Sequence, residues 1–166
     1  MGADLHTVVH VERRAVRAIL LTPENEVLLM QLRAPGSTEG FWVTPGGGMQ
    51  QDEIEETALR RELGEELGLS DFEMGPLLAR REHTFNWLGR RIHQREQIYL
   101  VPASRFEPMM TDMVEARVTV GFRWWALDEL RTTQERVTPR TLVQLVERYL
   151  REGAPTELPE LEVVID

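Results

Sequence analysis

Apolar and polar positions along the chain change period several times, and the changes mark out its elements. Two apolar runs, Ala15–Leu21 and Val27–Leu32, flank the turn-rich Thr22-Pro23-Glu24-Asn25, the pattern of a β-hairpin. Ala34-Pro35-Gly36-Ser37 reads as a loop. The short apolar piece Phe41-Trp42-Val43 then runs into Pro45-Gly46-Gly47-Gly48, which is expected to break regular structure. From Ile54 to Leu67 the period becomes helical, with Ile54, Ala58, Leu59, Leu63 and Leu67 on one stripe among good helix formers. Asp52 followed by Glu55 resembles a capping box, and Gly68 is a natural stop. Leu77–Trp87 and Arg91–Val101, on either side of Leu88-Gly89-Arg90, predict a second hairpin of long strands. Phe122–Ala126 predicts a further strand and Leu127–Leu130 a helical turn. Pro139–Glu152 predicts a terminal helix with Leu142, Leu145, Val146, Tyr149 and Leu150 as its apolar stripe. The tail 153–166 shows no clear element. Strands with few helices between them predict a sheet covered by helices, of α/β or α+β class.

The 166 residues suit one domain spanning 1–166, without repeats or linkers. No apolar run is long enough to span a bilayer, and Met1–His10 lacks the apolar core of a signal peptide, so a soluble, cytoplasmic protein without membrane partners is expected. The absence of cysteine excludes disulfides, zinc–thiolate sites and thiol nucleophiles. A net charge of −9 argues against nucleic acid as a partner. It also means that a phosphate substrate would call for a divalent cation between two negative partners.

The predicted helix and its lead-in carry Glu53, Glu55, Glu56, Glu62, Glu65 and Glu66. Glu62 and Glu66, four apart, share a helix face, and Glu65 lies beside both. Like charges at this spacing destabilise a bare helix, and a hard cation bound between them would reverse the sign. Spacing alone leaves two readings open: a cation site, and an ordinary solvated face paired by Arg60 and Arg61. The glycines before the helix let backbone approach an anion closely, although a plain turn accounts for them too.

Gly47, Glu53 and the run Arg61-Glu62-Leu63-Gly64-Glu65-Glu66-Leu67-Gly68-Leu69 together resemble the Nudix box, G-x5-E-x7-R-E-U-x-E-E-x-G-U with U aliphatic. Nine specified positions match within residues 47–69. The resemblance implies an α/β/α sandwich with a mixed central sheet. It implies Mg²⁺- or Mn²⁺-dependent hydrolysis of a diphosphate linkage in a small nucleotide, a nucleoside diphosphate joined to another group. By position, Glu62 and Glu66 would be metal ligands, Glu65 a ligand or base, and the Gly46 carbonyl a further ligand. Arg61 would hold the glutamates through Glu53. A homodimer is compatible with the resemblance. A non-catalytic binding module and an RNA 5′-end pyrophosphohydrolase are the alternatives. The intact glutamates disfavour the first and the charge the second. An isomerase of the same superfamily would use a cysteine. Neither the proline of ADP-ribose hydrolases, whose place is taken by Phe85, nor the tyrosine of dinucleoside polyphosphate hydrolases is present.

The family often adds a glutamate from outside the box. Glu115, in the loop before the Trp124-Trp125 strand, is the first candidate and Glu96 the second. Each is equally readable as a surface charge. Arg33 is a candidate for a substrate phosphate, beside Gly47 and Gly48. His83, Phe85 and Trp87 alternate on one strand and share a face, where Trp87 is a candidate base-stacking residue or ordinary packing. Arg80, Arg81, Arg90 and Arg91 suggest a basic patch on the second hairpin, and Trp124 and Trp125 point to opposite faces.

Overall fold

The computed structural model describes residues 8–111 and 115–166. Its strands and helices run β1 Val9–Leu21, β2 Glu26–Leu32, β3 Phe41–Val43, β4 Gly46–Gly48, α1 Glu55–Leu67, β5 Leu77–Trp87, β6 Arg90–Pro102, β7 Thr119–Ala126, α2 Leu127–Thr132, β8 Val137–Thr138, α3 Leu142–Glu152 and β9 Glu162–Ile165. Among the described residues no helix is long and apolar enough to cross a membrane.

The strands form one mixed sheet in the order β8-β3-β2-β1-β6-β5-β9, with β4 paired to β1 and β7 to β2. β1 runs parallel to β6 along its whole length. Midway along it is antiparallel to β4, and at its end it turns through Thr22–Asn25 into β2. The β5–β6 hairpin is antiparallel and closes on Leu88 and Gly89, both at positive φ, as a two-residue turn requires.

Strand alternation divides the core into two layers. Val16, Ala18 and Leu20 of β1 join Leu28, Val101 and Trp124 under α1, which contributes Ala58, Leu59, Leu63 and Leu67. Ile19 and Leu21 face the other way and pack with Val27, Leu29, Ile98, Leu100 and Trp125 against α2 and α3. Helices on both faces of a mixed sheet make the expected sandwich. The two adjacent tryptophans do point to opposite layers, Trp124 edge-on to Phe106 and Trp125 edge-on to Trp42.

Four local expectations are corrected. The capping box does not form: Asp52 sits at φ 66°, Ile54 is the N-cap, and no side chain caps the helix. Glu53 instead accepts the Gln50 N–H and turns towards Arg61. Gly46–Gly48 does not break the sheet but forms β4, because its backbone pairs with Ala15–Arg17. The terminal helix begins at Leu142, after a turn over residues 139–141. The tail contains β9, a parallel edge strand on β5. Gly68 does end α1, in the left-handed conformation at φ 69°, with the Gly68 and Leu69 N–H groups bonded to Gly64 and Leu63 carbonyls.

Candidate active site

Helix α1 buries Ala58, Leu59, Glu62, Leu63, Glu66 and Leu67. The stripe that seats the helix on the sheet therefore also carries two carboxylates inwards, onto β4. Glu55 and Glu56 lie on the outer side, where Glu56 pairs with Arg60 and Glu55 with Arg14 in exposed bridges. The solvated-face reading thus holds for the first turn of the helix and fails for Glu62 and Glu66.

Arg61 organises the cluster. Its guanidinium grips Glu53 with two bonds, Nε to Oε2 at 2.8 Å and Nη2 to Oε1 at 2.9 Å. It also donates to Glu62 Oε1 at 2.8 Å, to the Gly48 carbonyl at 2.9 Å and to Glu65 Oε2 at 3.5 Å. These bonds lower the Glu53 pKa from 4.5 to about 2, chiefly through Arg61 and then through the Gln50 N–H. The Arg61 pKa is raised in turn, first by Glu53. Burial pushes the Glu62 carboxyl above its ordinary value, against the pull of Arg61.

Glu66 Oε2 accepts the Gly46 N–H at 2.8 Å, tying the helix to the glycine strand. At Gly47 a Cβ would lie 2.6 Å from Glu62 Cδ and Oε2, so the absent side chain is what makes room for the carboxylate. The Gly46 carbonyl accepts from Arg17 Nη1 at 2.9 Å, which leaves its second lone pair for any other partner.

Among the described residues, no acidic or histidine groups converge as a finished ion cage. Glu62 and Glu66 are turned onto Arg61 and Gly46, while Glu65 is half-exposed. Carboxylate and carbonyl oxygens around a glycine-lined notch are nevertheless the donors that Mg²⁺ and Mn²⁺ prefer, so these residues fit such an ion.

A cavity of about 440 Å³ opens beside the notch, reaching Gly46, Gly47 and Glu66. Its walls come from β1, β2, β5 and β6, together with Phe41, Arg136 and Asp166. His83, Phe85 and Trp87 share the face expected of them, and Trp87 meets Phe41 edge-on at 6.0 Å. Arg33 does not line the cavity; its side chain is exposed and its backbone N–H bonds to Val118. The basic patch also dissolves, because alternation sends Arg80 outwards while Arg81 is 3% exposed in the cavity wall.

Arg81 spans the wall, donating to Glu162, Glu96, Thr138 and His83. Glu96 lies between Arg81 and Arg17 and accepts from Gln94. Although burial pushes the Glu96 carboxyl up, the two guanidiniums outweigh it and hold the pKa below its ordinary value. Glu96 is therefore a carboxylate committed to two cations. Of Glu115 the backbone opens a short 3₁₀ turn to Arg117, and its side chain lies outside the described residues. Arg17, Gln94 and Asp166 of the cavity's polar wall are not singled out by the sequence, and Arg81 is expected there only as part of a hairpin patch. The available signal is the alternation that puts Gln94 with Glu96, and Arg81 with His83, on one face of each strand.

A NUDIX domain matches residues 11–146, most of the chain, and the chain belongs to the NUDIX family. The chain is 35% identical over 78 residues to the CTP pyrophosphohydrolase of Escherichia coli, covering 47% of this chain and 56% of that protein. It is 36% identical over 67 residues to the 8-oxo-dGTP diphosphatase of Proteus vulgaris, covering 40% and 59% respectively. The matched stretch thus spans under two thirds of either relative. The crystal structure of a MutT NUDIX hydrolase from Burkholderia pseudomallei superimposes with a TM-score of 0.61 at 28% identity, covering 82% of this chain and 97% of that one.

Proposed function

We propose that this chain is a divalent-metal-dependent hydrolase of a diphosphate linkage, acting on a small nucleotide in which a nucleoside diphosphate is joined to another group. The observation that carries the reading is the inward placement of Glu62 and Glu66 against a strand of glycines, beside a cavity large enough for a nucleotide. Two relatives named for pyrophosphohydrolase or diphosphatase activity on nucleotides support it.

In this reading Glu62, Glu65 and Glu66 would hold Mg²⁺ or Mn²⁺, with the Gly46 carbonyl as a further donor. Such an ion neutralises diphosphate charge and lowers the pKa of water. The chain's own residues supply the rest. Glu53 holds Arg61 in place, and Arg61 fixes the direction of Glu62 and the reach of Glu65, as partners behind a ligand do. Glu65, the least buried of the three, would orient or deprotonate the attacking water if it does not ligate the ion. Glu115 is proposed as the additional carboxylate, since Glu96 is neutralised by two arginines. Gly47 and Gly48 give phosphate oxygens close access to backbone, and Trp87 with Phe85 offers flat surfaces to a base. Arg17, whose guanidinium bonds the Gly46 carbonyl, takes the phosphate-facing role in place of Arg33.

Glu62→Gln and Glu66→Gln each test the reading. Both variants should stay folded, lose Mg²⁺-dependent release of nucleoside monophosphate by on the order of 10³-fold, and weaken Mn²⁺ binding in a metal titration. Full turnover in both variants would refute the assignment of the site.

A further inference from the structure

Strand β9 brings one residue to the cavity that the NUDIX box does not involve. Asp166 follows β9 directly, and its backbone N–H bonds to the Thr84 carbonyl, in line with the β5 pairing. Arg91 Nη1 holds its carbonyl oxygen at 2.6 Å. These contacts fix Asp166 in the cavity lining, which Phe41 and Trp87 share.

The hydrogen bonds around it can be assigned donor by donor. Arg81 can only donate, so His83 Nδ1, 3.2 Å from Arg81 Nη1, must be an acceptor without a proton. A neutral ring then carries its proton on Nε2 and donates it to Asp166 Oδ2 at 2.6 Å. The same oxygen accepts from Arg136 Nη2 at 3.1 Å. Oδ2 is therefore saturated. Oδ1 takes no hydrogen bond among the described residues; its closest recorded cation is Arg140, at 3.9 Å. Asp166 lines the cavity and keeps 32% of its side-chain surface accessible, so Oδ1 is the carboxylate oxygen left to accept from a ligand, in an orientation that His83 and Arg136 hold through Oδ2.

An oriented acceptor in a cavity that Phe41, Phe85 and Trp87 also line suits a planar ligand that carries an N–H₂ on its edge. We propose that Asp166 determines base specificity, taking a hydrogen bond from the exocyclic amino group of the substrate's nucleobase and disfavouring bases with a carbonyl at that place. A carbonyl there would set oxygen against oxygen and leave the carboxylate unpaired, the asymmetry that makes polar pockets discriminate strongly. This deepens the hydrolase reading and rests on it for the identity of the ligand as a nucleotide.

The test compares bases in which an amino group beside a bare ring nitrogen is replaced by an oxo group beside a ring N–H: cytidine with uridine, and adenosine with inosine. Equilibrium binding of the four nucleoside monophosphates to the Glu62→Gln protein, followed by tryptophan fluorescence, needs no turnover. Steady-state kinetics of the four triphosphates with wild type then places the effect on KM or kcat. One amino partner at least should bind about tenfold more tightly than its oxo counterpart, with the difference appearing in KM. Asp166→Asn still offers an oxygen to His83 but turns an amide N–H₂ to the cavity, so the preference should invert towards the oxo base. Asp166→Ala should remove the preference, and retained binding of the oxo nucleotide would report a folded cavity. Equal affinities for amino and oxo partners in the Glu62→Gln protein would overturn the proposal, as would an Asp166→Asn variant weakened equally for both. Amino-selective binding without hydrolysis of any nucleotide would refute the hydrolase reading while sustaining the role of Asp166.

Discussion

Two neighbouring glycines should fail in opposite ways when each is replaced by alanine. At Gly47 the new Cβ would meet Glu62, 2.6 Å from Cδ and Oε2 and 2.8 Å from Oε1, where ordinary contact begins near 3.4 Å. The carboxylate must retreat by about 0.8 Å, out of reach of its 2.8 Å bond from Arg61 Nη1. Only a side chain has to move, so Gly47→Ala should change stability by no more than about 1 kcal/mol, part of the loss being offset by reduced freedom of the unfolded chain. A displacement near 1 Å at a reacting centre costs roughly 10²-fold in rate, and kcat should fall by that order. At Gly46 the Cβ would lie 2.1 Å from the Val16 carbonyl oxygen, in the pairing of β4 with β1, at φ 134°. Backbone must yield there, so Gly46→Ala should cost about 3 kcal/mol or more, a fall in melting temperature of roughly 6–12 °C for a chain this long. Thermal unfolding by circular dichroism and Mg²⁺-dependent release of nucleoside monophosphate read the two effects separately. A Gly47→Ala protein with wild-type kcat, or one as unstable as Gly46→Ala, would refute the packing of Glu62 on the glycine strand.

The Glu53–Arg61 pair makes a pH prediction. The folded carboxyl titrates at about 2 against 4.5 for a free glutamate, so its stabilisation is fully present above pH 4.5 and is lost as pH falls towards 2. Glu53→Gln should therefore flatten the acid limb of a stability–pH curve, and an unchanged limb would count against the pair. Arg81→Met removes the cation that Glu96 and Glu162 share in the cavity wall, and a buried pair broken from one side costs about 3–5 kcal/mol. Chemical denaturation checks it, and a change under 1 kcal/mol would mean that water replaces the guanidinium.

What was legible in the sequence is what repeats locally. The helical stripe from Ala58 to Leu67, the alternation of Leu77–Trp87 and the stop at Gly68 each follow from a short-range rule, and each has its counterpart in α1, β5 and the cap. Gly46–Gly48 carries no strand signal of its own, because its strand character comes from pairing with β1 and not from the glycines themselves. β9 escaped notice for a similar reason: Val163-Val164-Ile165 is β-branched, yet four residues become a strand only when an edge such as β5 receives them. In the site, the family resemblance pointed to Glu62 and Glu66, while their burial, and the outward direction of Glu55 and Glu56, depended on which stripe seats the helix. The cavity wall was least visible. Arg17, Arg81, Glu96 and Asp166 are distant in sequence and look like surface charges until β1, β6, β5 and β9 stand side by side.

The most direct measurement is ³¹P NMR of the products formed from a panel of nucleoside triphosphates, ADP-ribose, nucleotide sugars, dinucleoside polyphosphates and capped RNA, with Mg²⁺ and with Mn²⁺. Cleavage within the diphosphate linkage of at least one small nucleotide, releasing nucleoside monophosphate and abolished by chelation, is the predicted result. No turnover of any member with either ion would contradict it and leave the chain a binding module.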